Sequence, residues 1–164
     1  MLKLTVRDVE VDTFFDCPVI KLSVEGTEET FRIWVGKDNG TSVVRALVGE
    51  KMKRPDQHTL FSNTIKSLGA KIEKVVLTKF VGNIFYSEII LLTKDGNTIT
   101  IDSRPSDSIA IALISDAPIF ATINMLESVS NGGYDIKNFD AVKTLGMKMG
   151  KEIDNNISPE DFII

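Results

Sequence analysis

Apolar side chains recur at alternate positions from Leu2 through Leu4 and Val6, then shift parity at Val9 and Val11. This pattern predicts a strand over residues 2–11 with a bulge or break near Arg7-Asp8. Pro18 to Val24 and Phe31 to Val35 read as two more strands around the polar turn Glu25-Gly26-Thr27-Glu28-Glu29, a hairpin. Gly36-Lys37-Asp38-Asn39-Gly40 breaks the alternation. Apolar residues at helical spacing then predict a helix over 41–48, stopped by Gly49. Pro55 forces Arg54 into an extended conformation. A second helix is expected from about Gln57 to Leu68, with Leu60, Phe61, Ile65 and Leu68 as its apolar face and Gly69 as its stop.

Ile72 to Val81, Ile84 to Thr93 and Thr98 to Ile101 form a second strand-rich block, turned at Gly82-Asn83 and at Lys94-Asp95-Gly96-Asn97. They read as an antiparallel three-stranded meander. The polar stretch Asp102 to Ser108 then feeds an almost wholly apolar helix over 106–115. A short extended piece, Ala117 to Ala121, precedes an amphipathic helix carrying Ile123, Leu126 and Val129, which ends before Asn131-Gly132-Gly133. The expected class is α+β: a mixed, mostly antiparallel sheet with flanking helices.

Residues 1–134 form the expected domain. Residues 135–164 are more polar and read as an extension, with a helix near 139–146 and a helix start at Ser158-Pro159-Glu160, packing on the domain or on a neighbouring subunit. A constant offset of 66 aligns Ile33, Ser42 and Ala46 with Ile99, Ser108 and Ala112. The order hairpin, loop, helix, helix also recurs. An internal duplication, with loop 36–41 matching loop 102–107, and chance similarity of two amphipathic segments both account for this.

Composition narrows the function classes. A chain of 164 residues with 43% hydrophobic and 26% charged residues supports a packed core. No apolar run approaches the roughly 18 residues of a membrane span. Charges occupy the first residues, where a signal peptide would be apolar, so a cytoplasmic protein is expected. The net charge of −4 excludes a broad basic surface, so nucleic-acid contact requires a local patch. The single Cys17 excludes an intramolecular disulfide and is expected to be a buried, inert thiol.

The densest chemistry lies in Asp102-Ser103-Arg104-Pro105-Ser106-Asp107-Ser108. One account is architectural: Pro105 fixes the helix entry, Ser106 caps it, and Asp107 complements the helix dipole. The other is phosphodiester chemistry. Arg104 can grip phosphate oxygens, while Asp102 and Asp107 can bind a divalent cation such as Mg²⁺ or act as base. Glu88 is either a further ligand or the polar face of its strand. His58 is the only histidine and follows Arg54-Pro55-Asp56-Gln57. It is either a proton-transfer group or an exposed first-turn residue with no role. The sequence carries no GxSxG elbow, phosphate-loop lysine motif or Rossmann glycine fingerprint.

Ile33-Trp34-Val35-Gly36, Arg54-Pro55 with His58 and Leu60, and Asp102 to Ala110 followed by Pro118-Ile119 resemble the bifunctional nuclease domain family. The resemblance runs over about residues 2–130. It departs where the family's glutamate-alanine pair is Asn39-Gly40 and its Thr-His-Asp is Gln57-His58-Thr59. The resemblance implies DNase and RNase activity. On the residue reading, Asp102, Arg104, Asp107 and His58 are the catalytic candidates, and Arg54 and Arg104 are the substrate-binding ones. A non-catalytic binding or regulatory module using the same junction is the alternative. Trp34, Phe14, Phe15 and the apolar end Phe162-Ile163-Ile164 offer area for a homo-oligomer.

Overall fold

A computed structural model describes residues 1–133 and 136–155, with the side chains of the last helix to Met149. Strands β1 (Leu2–Asp12), β2 (Cys17–Val24) and β3 (Thr30–Trp34) lead into helices α1 (Lys37–Leu47) and α2 (Gln57–Ser67). Strands β4 (Lys71–Val81), β5 (Ile84–Leu92) and β6 (Thr98–Ser103) follow. Then come α3 (Pro105–Ser115), β7 (Ile119–Ala121), α4 (Ile123–Asn131) and α5 (Phe139–Asn155).

The strands form one seven-stranded sheet in the order β3-β2-β1-β7-β4-β5-β6. Each of the two meanders is antiparallel, and β7 joins the first to the second within the sheet. That strand pairs antiparallel with β1 and parallel with β4. The class is therefore the α+β mixed sheet that the strand patterns imply. The parity slip in β1 is a register shift between Val6 and Asp8. Each meander is followed by two helices, the second pair interrupted by β7.

Helix α3 is the hub. Ile109, Ala110, Ile111 and Ala112 are all buried, so it is apolar around much of its circumference, as a helix covered by other elements must be. It joins Val43 of α1, Ile65 of α2 and Met125, Leu126 and Val129 of α4 in one core. Leu4, Leu22, Val75, Leu77, Ile89 and Leu91 supply the sheet side of that core. The sheet curls strongly: Phe31 of β3 stacks on Phe85 of β5 at 6.3 Å, although β2, β1, β7 and β4 lie between them in the order. Ile136 and Val142 are buried in the same core, so the first turns of α5 pack on the domain. The helix start expected at Ser158-Pro159-Glu160 lies outside the described residues.

Three local expectations are corrected. Helix α1 begins at Lys37, so residues 37–40 are its first turn rather than a loop. Gly40 permits this, because a Cβ there would sit 2.3 Å from Cβ of Pro18. The buried face of α2 is His58, Ser62 and Ile65, while Leu60 and Leu68 are exposed. Periodicity picked Ile65 correctly but missed His58 and Ser62, because polar residues also meet α3 here. Cys17 is half-buried at a hairpin tip rather than in the core.

Candidate active site

The junction between β6 and α3 is fixed from below by hydroxyl groups. Ser87 Oγ donates to the Ser103 carbonyl at 2.8 Å and meets Ser103 Oγ at 3.0 Å and Ser108 Oγ at 2.9 Å. Ser108 Oγ in turn donates to the Pro105 carbonyl at 3.1 Å. These bonds tie β5, the end of β6 and the first turn of α3 into one unit. Buried hydroxyls must be paired in this way or they cost stability.

Arg104, not Ser106, is the N-cap of α3, with Pro105 at its first position. A proline there is already shaped for the helix and lacks only an amide hydrogen that has no helical acceptor. Ser106 is displaced one residue inward, and its hydroxyl accepts a bond from Asn39 Nδ2 at 3.1 Å. The first turns of α1 and α3 are thereby joined.

Helix α2 starts where Asp56 Oδ1 accepts from the Thr59 amide at 2.8 Å. That cap sets the helix phase and turns His58 inward, where it is only 4% exposed. Its Nε2 lies 3.0 Å from Asp107 Oδ1, and Arg104 Nε donates to Asp107 Oδ2 at 2.6 Å. Of the two readings of His58, the exposed first-turn residue is overturned: the side chain is buried against the polar junction. Burial alone would raise the Asp107 carboxyl. The hydrogen bonds and charges of Arg104 and His58 outweigh it and hold the group below its ordinary range. His58 Nδ1 is buried without a hydrogen-bond partner.

These groups border a cleft of about 380 Å³ also lined by Gln57, Phe61, Ile89 and Ile101. Arg104 is largely exposed at its mouth, and its only ion pair among the described residues uses Nε. Asp102 also borders the cleft. Yet Ser87 and Ser103 face α3, so strand alternation sends their neighbours Glu88 and Asp102, which are paired in register, to the opposite sheet face. Arg54 is exposed in the α1–α2 connection and is not among the residues lining the cleft. Direct contacts therefore join Arg104, Asp107 and His58, while Asp102 stands on the border of the same cleft and Arg54 is outside its lining.

Asp102 and Asp107, the aspartates expected to hold Mg²⁺, both border the cleft. Among the described residues no group of three or more His, Cys, Asp or Glu side chains is placed to hold a metal ion. The residues present do not fit a preformed cation site.

A family model described as the bifunctional nuclease domain matches residues 20–132. The chain belongs to the bifunctional nuclease domain family. The matched span runs from β2 through α4 and includes His58 and the whole β6–α3 junction. This bifunctional nuclease domain is also similar to two uncharacterized proteins of Mycobacterium tuberculosis, from strains CDC 1551 / Oshkosh and ATCC 25618 / H37Rv. Each is 27% identical over 165 residues, which cover 99% of this chain and 98% of the relative.

Sequence reasoning did not single out Phe61 as a cleft residue, nor Ser87 and Asn39 as supports. Ser87 did carry a signal: a small polar residue inside the otherwise apolar run of β5. Asn39 carried none.

Proposed function

We propose that this protein hydrolyses phosphodiester bonds of RNA and DNA at the Arg104–Asp107–His58 cleft. The observation that carries the reading is that chain of contacts: a half-buried carboxylate held on one side by a buried imidazole and on the other by an exposed guanidinium. The terminal nitrogens of Arg104 have no partner among the described residues and can meet the non-bridging oxygens of a phosphate at the cleft mouth, where they offset its charge in the transition state. DNA has no 2′-hydroxyl to attack phosphorus, so the proposed route for both polymers uses water: its oxygen bonds to phosphorus as the P–O bond to the leaving sugar oxygen breaks, and that oxygen takes a proton from solvent. The Asp107–His58 pair accepts the proton that water loses.

Asp102 and Arg54 have lesser places in this proposal: the first supports the strand end, and the second reaches polymer outside the cleft. We place the activity in the cytoplasm. No described helix is long and apolar enough to cross a membrane. We take residues 1–134 as the nuclease-like domain and 135–164 as its extension. A homo-oligomer is proposed through the hairpin tips, where Phe14 and Phe15 are 86% and 66% exposed beside a cavity lined by Trp34, Phe80 and Phe85. Sedimentation of a Phe14→Ser, Phe15→Ser variant as a smaller species than wild type supports this, and unchanged mass refutes it.

The second reading, a binding or regulatory module, draws on His58 itself. Its Nε2 is occupied by Asp107 and its Nδ1 is buried, which suits a clamp between α2 and α3. Cleavage of labelled single-stranded RNA and DNA by the pure protein, beside Arg104→Gln and Asp107→Asn variants, separates the two. Loss of roughly 10²-fold or more in rate supports catalysis. Equal cleavage by all three proteins removes the activity from this site.

A further inference from the structure

We propose that the groove at the C-terminal end of α2, lined by Lys66, Lys71 and Lys94, binds the phosphate backbone of a single-stranded nucleic acid. This rests on the nuclease reading above in one respect: the adjoining nucleotides lie in the Arg104–Asp107–His58 cleft.

The groove, about 340 Å³, is completed by Gly69, Ala70, Leu92 and Thr93 and contains no carboxylate. Three lysines therefore border one groove of a protein whose formal charge is −4. None of the three forms an ion pair with a described residue, although acidic residues outnumber basic ones in the chain. A patch of this kind is what an acidic protein needs to hold a polyanion locally.

The groove is also aligned with the cleft. Both are built from α2 and the β5–β6 hairpin. The cleft takes His58 and Phe61 from the start of α2 and Ile89 from β5; the groove takes Lys66 from the end of α2 and Leu92 from β5. From His58 to Lys66 the helix rises about 12 Å. From Ile89 to Leu92 the strand advances about 10 Å. The two measures agree on a separation of a few nucleotides along a strand. Phe61 lines the cleft yet remains 40% exposed, an aromatic face on which an unpaired base can stack. A stacked base requires a single strand, which sets the substrate class.

Lys94 is positioned rather than trailing. A Cβ on Gly69, which has φ +82°, would lie 2.2 Å from Cε of Lys94, so the lysine stem lies directly over that glycine. Lys66 and Lys94 also complement the negative end of the α2 dipole. That role gives no reason for Lys71, which stands on β4.

The test is fluorescence anisotropy of labelled oligo(dT) and oligo(U) of about eight nucleotides, a dinucleotide and a duplex, across a salt series. Wild type is compared with a Lys66→Gln, Lys71→Gln, Lys94→Gln variant. Loss of three phosphate contacts lowers the slope of log K against log salt by about 2 for the octamers. It weakens their binding roughly tenfold or more at low salt and leaves the dinucleotide unaffected. An unchanged slope, or a duplex bound as tightly as the single strands, overturns the proposal. Hydrolysis of bis(4-nitrophenyl) phosphate, too small to reach the lysines, reads the cleft alone. If both proteins hydrolyse it but octamer binding ignores the lysines, the groove falls and the nuclease reading stands. If octamer binding depends on the lysines but neither protein hydrolyses any diester, the groove stands and the nuclease reading falls.

Discussion

His58 Nε2 and Asp107 Oδ1, from residues 49 positions apart, meet at 3.0 Å where the first turn of α2 crosses the first turn of α3. The imidazole has no other hydrogen-bond partner among the described residues, because its Nδ1 is buried unpaired. Asp107 thus carries the whole polar satisfaction of a buried histidine as well as the orientation of Arg104.

That dependence predicts an asymmetric response to truncation. Asp107→Ala leaves both imidazole nitrogens unpaired and is expected to cost about 1–3 kcal/mol. In a His58→Ala, Asp107→Ala background the second truncation costs less than it does alone. Urea unfolding of the two single variants and the double variant measures the coupling; strict additivity contradicts the contact.

Acid titration follows with a definite sign. The Asp107 carboxyl is below its ordinary range in the folded protein, so the unfolded chain binds its proton first as pH falls. Its stabilising contribution is complete above the unfolded value of about 3.9 and is lost as pH drops through that value toward the folded one. Unfolding between about pH 5 and pH 2 should therefore show a shallower acid loss for Asp107→Asn than for wild type.

Ser108→Ala tests the hydroxyl unit beneath the junction. It removes a fully buried group bonded to Ser87 and to the Pro105 carbonyl. Ser87 keeps the Ser103 carbonyl as acceptor. The expected cost is about 1 kcal/mol, seen as a lower Tm in a thermal scan.

Gly40→Ala should cost more than its single methyl suggests. The new Cβ would lie 2.3 and 2.4 Å from Cβ and Cγ of Pro18, atoms of a rigid ring that cannot swing aside. A loss of about 1–3 kcal/mol in denaturant unfolding is expected, with α1 displaced from β2. Gly36→Ala is the control, since its Cβ would meet nothing.

The strands were legible because their side chains report a half-buried surface directly: the parity slip before Val9 became the β1 register shift, and Gly82-Asn83 became a turn with both residues at positive φ. The buried face of α2 was legible only in part, through Ile65. Its contacts with α3 are made by His58 and by Ser62, whose Oγ lies 2.8 Å from Ser115 Oγ, so hydrophobic periodicity pointed at Leu60 and Leu68 instead. The junction was readable as a cluster but not as a geometry. The spacing of Asp102, Arg104 and Asp107 cannot say that a strand ends between the first two, which is what sends Asp102 to the far face. The resemblance did pick His58 from outside the cluster, whereas its spacing alone favoured an idle surface position.

The three-residue β7 has a consequence for how the chain is made. Strands β1 and β4 never pair with each other; Ile119, Phe120 and Ala121 alone bridge them. A ribosome delivers both meanders before that bridge. Until it emerges, the nascent chain carries two open strand edges, at Leu2–Leu4 and Val75–Leu77, that can pair with another copy. Synthesis stalled before residue 119 therefore exposes the aggregation hazard that the finished sheet conceals.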